Sequence, residues 1–252
     1  MRKLLVAAVL SSLLPSLAAA KVKGETVEYK HGDTVLEGYL AWDDAKKGPR
    51  PAVIVVHEWK GPGEYTKRRA EQLAALGYVA FAADIYGKGV RPTAHEEAAE
   101  IAGMYRKDRA LMRARVQAAL DRVKQEKRVD AGKIAAIGYC FGGTAVLELA
   151  RSGADVDLVA SFHGALETPV PAKEGDIKAT VAVFHGAEDA SVNTQVPAFR
   201  DEMRASKADW VFVELAGALH GFTVKENTAA YNEAADRRSW EMFQDLLAES
   251  FK

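Results

Sequence analysis

The chain has 252 residues, enough for one large domain with a sizeable core. Its 34 Lys and Arg nearly balance 35 Asp and Glu, leaving a net charge of −1 and no electrostatic case for a nucleic-acid or anionic-lipid partner. Hydrophobic residues make up 48% and charged residues 27%, which excludes a disordered or fibrous chain.

Met1-Arg2-Lys3 is positively charged, residues 4–14 are apolar apart from Ser11 and Ser12, and Ala18-Ala19-Ala20 supplies small residues. This is the layout of a secretory signal cleaved after Ala20, leaving a single domain over residues 21–252. The apolar stretch is short for a membrane span of about 20 residues. Export is therefore expected, to the periplasm in a bacterial host, as a monomer with no membrane association after cleavage. One cysteine, Cys140, allows no internal disulfide.

Residues 22–41 alternate weakly, which predicts one or two antiparallel strands turning near His31-Gly32-Asp33. The β-branched run at 52–56 predicts a strand buried on both faces, as in a parallel sheet. Gly61-Pro62-Gly63 follows it, and residues 65–76 read as an amphipathic helix stopped by Gly77. Residues 78–83 read as a second buried strand and 84–92 as a loop. Residues 93–127 read as helical with a break near Gly103. Residues 134–139 are the third buried strand and 142–151 a helix; 158–162, 180–184 and 210–214 are further strands. A closing helix at 229–251 carries Tyr231, Ala235, Trp240, Phe243 and Leu247 near helical spacing. Strands alternating with helices predict an α/β fold, with a mostly parallel central sheet flanked by helices on both faces.

Gly138-Tyr139-Cys140-Phe141-Gly142 follows an apolar strand and opens a helix, matching G-x-S-x-G with Cys in place of Ser. So sharp a turn leaves no room for side chains two residues to either side, hence the glycines. It aims the Phe141 N–H at a developing oxyanion, and the helix N-terminus favours negative charge there. A structural turn with a buried thiol is the competing reading. Downstream, the strand at 180–184 leads to His185-Gly186-Ala187-Glu188-Asp189, and the strand at 210–214 leads to Leu219-His220-Gly221-Phe222. Both loops leave carboxyl ends of predicted parallel strands, as Cys140 does, and ligands of open α/β sheets collect at that edge. The chain order nucleophile, acid, histidine is that of α/β-hydrolases. Cys140 is thus the candidate nucleophile and His220 the proton carrier, with Asp189 or Glu188 orienting His220. His163 and His185 also end strands and are expected at the floor or back of the site; His31 and His95 are expected at the surface. The loop His57-Glu58-Trp59-Lys60-Gly61 occupies the position that supplies a second oxyanion N–H, here that of Trp59. A zinc reading of His57-Glu58 fails because H-E-x-x-H needs His where Gly61 stands, so no metal or other cofactor is expected. Tyr86 and Phe222 are candidate pocket walls.

Taken together, His57-Glu58, Ala83-Asp84-Ile85-Tyr86, Gly138-Tyr139-Cys140-Phe141-Gly142-Gly143, His185-Gly186 through Asp189, and His220-Gly221-Phe222 resemble the dienelactone hydrolase family. The resemblance implies an α/β-hydrolase fold and a Cys140–His220–Asp189 triad, and it favours Asp189 over Glu188. It also implies that Glu58 contacts the resting thiol until substrate shifts it, gating Cys140. Two departures concern the substrate. The family's arginines for a dienelactone carboxylate correspond to Lys88 and Val224 here, and Lys88 can pair with a carboxylate but lacks the bidentate fork. The expected activity is carboxymethylenebutenolidase-like, or that of a broader carboxylesterase, on a small ester or lactone. The alternative is a non-catalytic ligand-binding protein on the same scaffold.

Overall fold

A computed structural model describes residues 20–252; the expected signal segment, apart from Ala20, lies outside the described residues. The chain opens with a hairpin of β1 (Val22–His31) and β2 (Thr34–Asp43), turned at Gly32. Then come β3 (Arg50–Val56), α1 (Glu64–Leu76), β4 (Val79–Ala83), α2 (His95–Lys107), α3 (Arg109–Lys124), β5 (Val129–Tyr139) and α4 (Phe141–Arg151). The chain closes with β6 (Leu158–Phe162), β7 (Thr180–Gly186), α5 (Ala190–Asn193), α6 (Val196–Ser206), β8 (Trp210–Leu215) and α7 (Glu233–Ser250).

The eight strands form one open sheet in the order β1-β2-β4-β3-β5-β6-β7-β8. The pairs β1–β2 and β2–β4 are antiparallel, and every later pair is parallel. The β-branched and small residues of β3 to β7 suit strands covered on both faces, and their alternation divides the core. Ile54, Phe81, Ala136 and Val183 pack with residues of α2, α3, α4 and α6. Val55, Ala82, Ile137 and Phe184 pack with α1 and α7 on the opposite face. α4 is buried along its whole length, in keeping with its apolar sequence.

The helices differ from the sequence reading in three respects. The helical stretch breaks at Asp108 rather than near Gly103, because the Asp108 carboxylate accepts the Leu111 N–H and caps a new helix, while Gly103 stays inside α2. The closing helix starts at Glu233, where the Asn232 side chain accepts the Ala235 N–H, so Tyr231 lies outside it. The short α5 and the helix α6 did not stand out in the sequence; α6 begins with Pro in its first turn. The parallel strands all point their carboxyl ends at one edge. From that edge emerge the loops bearing His57 and Glu58, Asp84, Cys140, His163, Asp189 and His220.

Candidate active site

Cys140 joins β5 to α4 with φ +54 and ψ −114, a left-handed backbone that a non-glycine residue adopts only when its surroundings enforce it. The enforcement is steric. A Cβ on Gly138 would lie 2.1 Å from the Gly142 carbonyl oxygen, and one on Gly142 would lie 2.3 Å from that of Val56. The elbow therefore closes on itself and wedges against the end of β3. Phe141 is the first residue of α4, so no earlier turn of helix takes up its N–H.

His220, in the loop after β8, places Nε2 3.0 Å from Cys140 Sγ and Nδ1 2.7 Å from Asp189 Oδ2. Asp189 is fixed in turn as the cap of α5, its Oδ1 accepting the Ser191 N–H at 3.2 Å and the Ser191 hydroxyl at 2.6 Å. Asp189 is buried and Glu188 is exposed, which separates the two neighbouring acids. Burial disfavours charge on His220, but the hydrogen bonds and charges of Asp189 and Cys140 outweigh it and hold the ring at about 10. Burial likewise works against the Asp189 carboxylate, yet the His220 and Ser191 hydrogen bonds bring it to about 2. A cationic ring beside an anionic carboxylate follows across the neutral range.

Burial raises the Glu58 carboxyl to about 7, a rise that the charge of His220 reduces. Its carboxylate makes no hydrogen bond among the described residues, and the thiol's partner here is His220 rather than Glu58. His57 braces this loop: its Nδ1–H donates to the Glu58 carbonyl at 2.6 Å and its Nε2 accepts the Ile85 N–H at 3.3 Å. Burial lowers His57 to about 4, so it serves as a neutral strut.

The expected substrate contacts are placed differently. Phe222 has no exposed surface and packs its ring 5.2 Å from that of His163; it supports the floor and cannot line a pocket. Tyr86 is also buried, and its hydroxyl donates to the Trp59 carbonyl at 2.9 Å, so it holds the Trp59 loop from behind. Lys88 extends to the surface, where its ammonium pairs with Glu28 of β1. That partner satisfies its charge away from Cys140, and a lysine five residues after a strand lies beyond what pattern can aim. Trp59 is half-buried, its ring edge-on to that of His95 at 4.5 Å. His185 is buried against Asn193 through Nε2. Thr223, Tyr65 and Ser191, which brace the site residues, carry no signal in the sequence; only the folded loops bring them there. No metal-holding cluster of His, Cys, Asp and Glu occurs among the described residues.

Residues 36–251 match the model of the dienelactone hydrolase family. A solved structure from metagenomic libraries, described as a dienelactone hydrolase-like promiscuous phosphotriesterase, P91, is 38% identical, with a TM-score of 0.86 over 92% of this chain and 99% of that one. A Synechocystis protein provisionally named a carboxymethylenebutenolidase is 28% identical over 92% of this chain and 98% of its own. An uncharacterised Caenorhabditis elegans protein is 35% identical over 56% of this chain and 94% of its own. With a strained cysteine elbow on an open, mostly parallel sheet and a family match over most of its length, the chain belongs to the dienelactone hydrolase family.

Proposed function

We propose that the chain hydrolyses small carboxylic esters or lactones through a triad of Cys140, His220 and Asp189. The observation that carries this reading is the unbroken line from Asp189 through His220 to the thiol, at 2.7 and 3.0 Å. With the thiol's proton already resting on His220 Nε2, as the cationic ring requires, the thiolate attacks the carbonyl carbon. The oxyanion that forms meets the N–H groups of Phe141 and Trp59. Collapse breaks the C–O bond, and the proton on His220 Nε2 passes to the leaving oxygen, which stays tethered if the substrate is a lactone. Water, giving a proton to His220, then cleaves the thioester and restores the thiol with release of a carboxylic acid. No cofactor enters any step.

Asp189 keeps the reactive tautomer of His220 and supports its positive charge. Glu58, whose carboxyl makes no hydrogen bond among the described residues and feels the charge of His220, takes in this reading the gating role that the family resemblance implies. With Lys88 engaged by Glu28 and Val224 apolar, neither family arginine position offers a free cation. The reading therefore favours neutral substrates over carboxylate-bearing ones. Residues 1–20 are read as an export signal; the intact mass of protein secreted by a bacterial host tests cleavage after Ala20.

The functional test is a panel of aryl acetates and lactones, with and without a carboxylate, plus an aryl phosphotriester because P91 is described as acting on that class. Turnover of the uncharged esters is expected. Cys140→Ala should abolish it, and Asp189→Asn should lower kcat by about 10³–10⁴-fold. Glu188→Gln should leave it unchanged. Undiminished turnover in purified Cys140→Ala protein overturns the reading. Ligand-dependent stabilisation without turnover would instead favour the non-catalytic alternative.

A further inference from the structure

Behind the nucleophile lies a buried polar chain that the reaction above does not use. His163 ends β6 with φ +41, a second left-handed non-glycine residue at the site. Its Nδ1 accepts the backbone N–H of Cys140 at 3.1 Å, shared with the Phe162 carbonyl at 3.0 Å. With Nδ1 an acceptor, the proton sits on Nε2, which donates to Thr223 Oγ1 at 2.8 Å. Thr223 also accepts from the Tyr65 hydroxyl at 2.7 Å, and that hydroxyl accepts from Arg69 Nε at 3.2 Å. Arg69 pairs with Asp236 of α7. His163 and Thr223 are each only 1% exposed. Burial holds His163 well below the usual histidine range, which leaves its Nδ1 lone pair free. The charged groups around it are His220, whose ring lies edge-on at 5.4 Å, together with Asp189 and Arg69.

The arrangement ties together segments distant in sequence. Cys140 lies after β5, His163 after β6, Tyr65 in the first turn of α1, and Thr223 in the His220 loop, three residues beyond the base. We propose that His163 and Thr223 are positioning residues: His163 grips the nucleophile's backbone with one ring nitrogen and the base's loop with the other, and so sets the reactive distance between Cys140 and His220. This rests on the nucleophile-and-base reading of that pair. A displacement of about 1 Å between reacting groups costs on the order of 100-fold in rate, so a hydroxyl that fixes the loop acts on kcat rather than on substrate affinity. Neither residue touches the reacting atoms.

The test uses Thr223→Val, which keeps shape and removes the hydroxyl, and Thr223→Ser, which keeps the hydroxyl. Two readouts are taken on the whole chain: kcat and KM for p-nitrophenyl acetate, and the rate of iodoacetamide alkylation at neutral pH. With one cysteine in the chain, alkylation reports on Cys140 alone. Thr223→Val should lower kcat by about 10–100-fold at nearly constant KM and slow alkylation by a comparable factor, while Thr223→Ser restores both. His163→Asn, which tolerates positive φ and keeps an acceptor for the Cys140 N–H but cannot reach Thr223, should do the same as Thr223→Val, and the double variant should be no worse than either. His163→Asn carries the test alone if Thr223→Val does not fold. The proposal is overturned if a cooperatively melting Thr223→Val or His163→Asn protein keeps wild-type kcat and alkylation rate. Alkylation separates the two readings. If wild type turns over no ester but alkylates faster than free thiol, and the variants slow it, the positioning role stands and hydrolysis falls. If esters turn over and the variants change nothing, the positioning role alone falls.

Discussion

At Glu58, a single side chain links the loop after β3 to the stability of the fold. Its carboxyl is raised from an ordinary 4.5 to about 7, first by burial, with the charge of His220 working the other way. The folded chain therefore keeps a proton between pH 4.5 and 7 that the unfolded chain has released. The stability tied to that proton is complete below 4.5 and is lost as pH rises through 7. Urea unfolding of wild type and Glu58→Gln across this range should show wild type losing ground steadily from pH 4.5 to 7 and no further change above. A difference that does not vary with pH would show that the carboxyl is not held in its neutral form. The same scale explains why some contacts could not be read from residues alone. Asp189 and Glu188 are adjacent acids in sequence, and only the cap of α5 decides that one is buried against His220 while the other meets solvent. Phe222 follows the base by two residues, and its burial under His163 depends on how the loop returns to the sheet.

The elbow between β5 and α4 is the element that pattern made most legible, because its glycines answer to a local steric demand. Gly142→Ala forces a methyl to 2.3 Å from the Val56 carbonyl oxygen, a backbone atom that cannot step aside. Gly103 offers the contrast: it sits within α2 and nothing lies within 4 Å of its hypothetical Cβ. Gly103→Ala should stabilise by up to about 1 kcal/mol through helix propensity. Gly142→Ala should destabilise by at least about 1–3 kcal/mol and remove activity, since the elbow must shift off β3. Chemical denaturation of the two variants checks both signs; equal effects would mean that the elbow is looser than its contacts imply. The parallel strands were legible for a related reason: runs such as Ala52-Val53-Ile54-Val55-Val56 are apolar on both faces because both faces are covered. The helix break at Asp108 was not, since a capping carboxylate outcompeted the glycine five residues earlier. The polar chain from His163 to Asp236 was not legible either, because its members come from β6, α1, α7 and the His220 loop and share no spacing.

For the whole molecule, the proposed cleavage point and the edge of the sheet meet at Lys21. Its backbone N–H donates to Asp43 Oδ1 at 2.8 Å, and its carbonyl accepts the Asp44 N–H at 2.9 Å, so it fastens the start of β1 to the end of β2. The backbone N–H groups of Ala45 and Lys21 together draw the Asp43 carboxyl below its usual range. Cleavage after Ala20, as proposed, would turn the Lys21 amide into an α-ammonium at the same point. A neutral hydrogen bond to a carboxylate would then become an ion pair, and hydrogen bonds between two charged groups are the stronger class. A chain starting at Lys21 should accordingly melt about 2–4 °C above the same chain acetylated at its N-terminus, the gap narrowing at high salt. Asp43→Asn should erase the gap. Because β1 and β2 form one end of the sheet while Cys140 leaves β5, kcat should be the same in all three proteins. Equal melting of the free and acetylated chains would mean that the new terminus does not dock on Asp43. A change in kcat would mean that the hairpin and the elbow are mechanically coupled, which the separation of their strands in the sheet argues against.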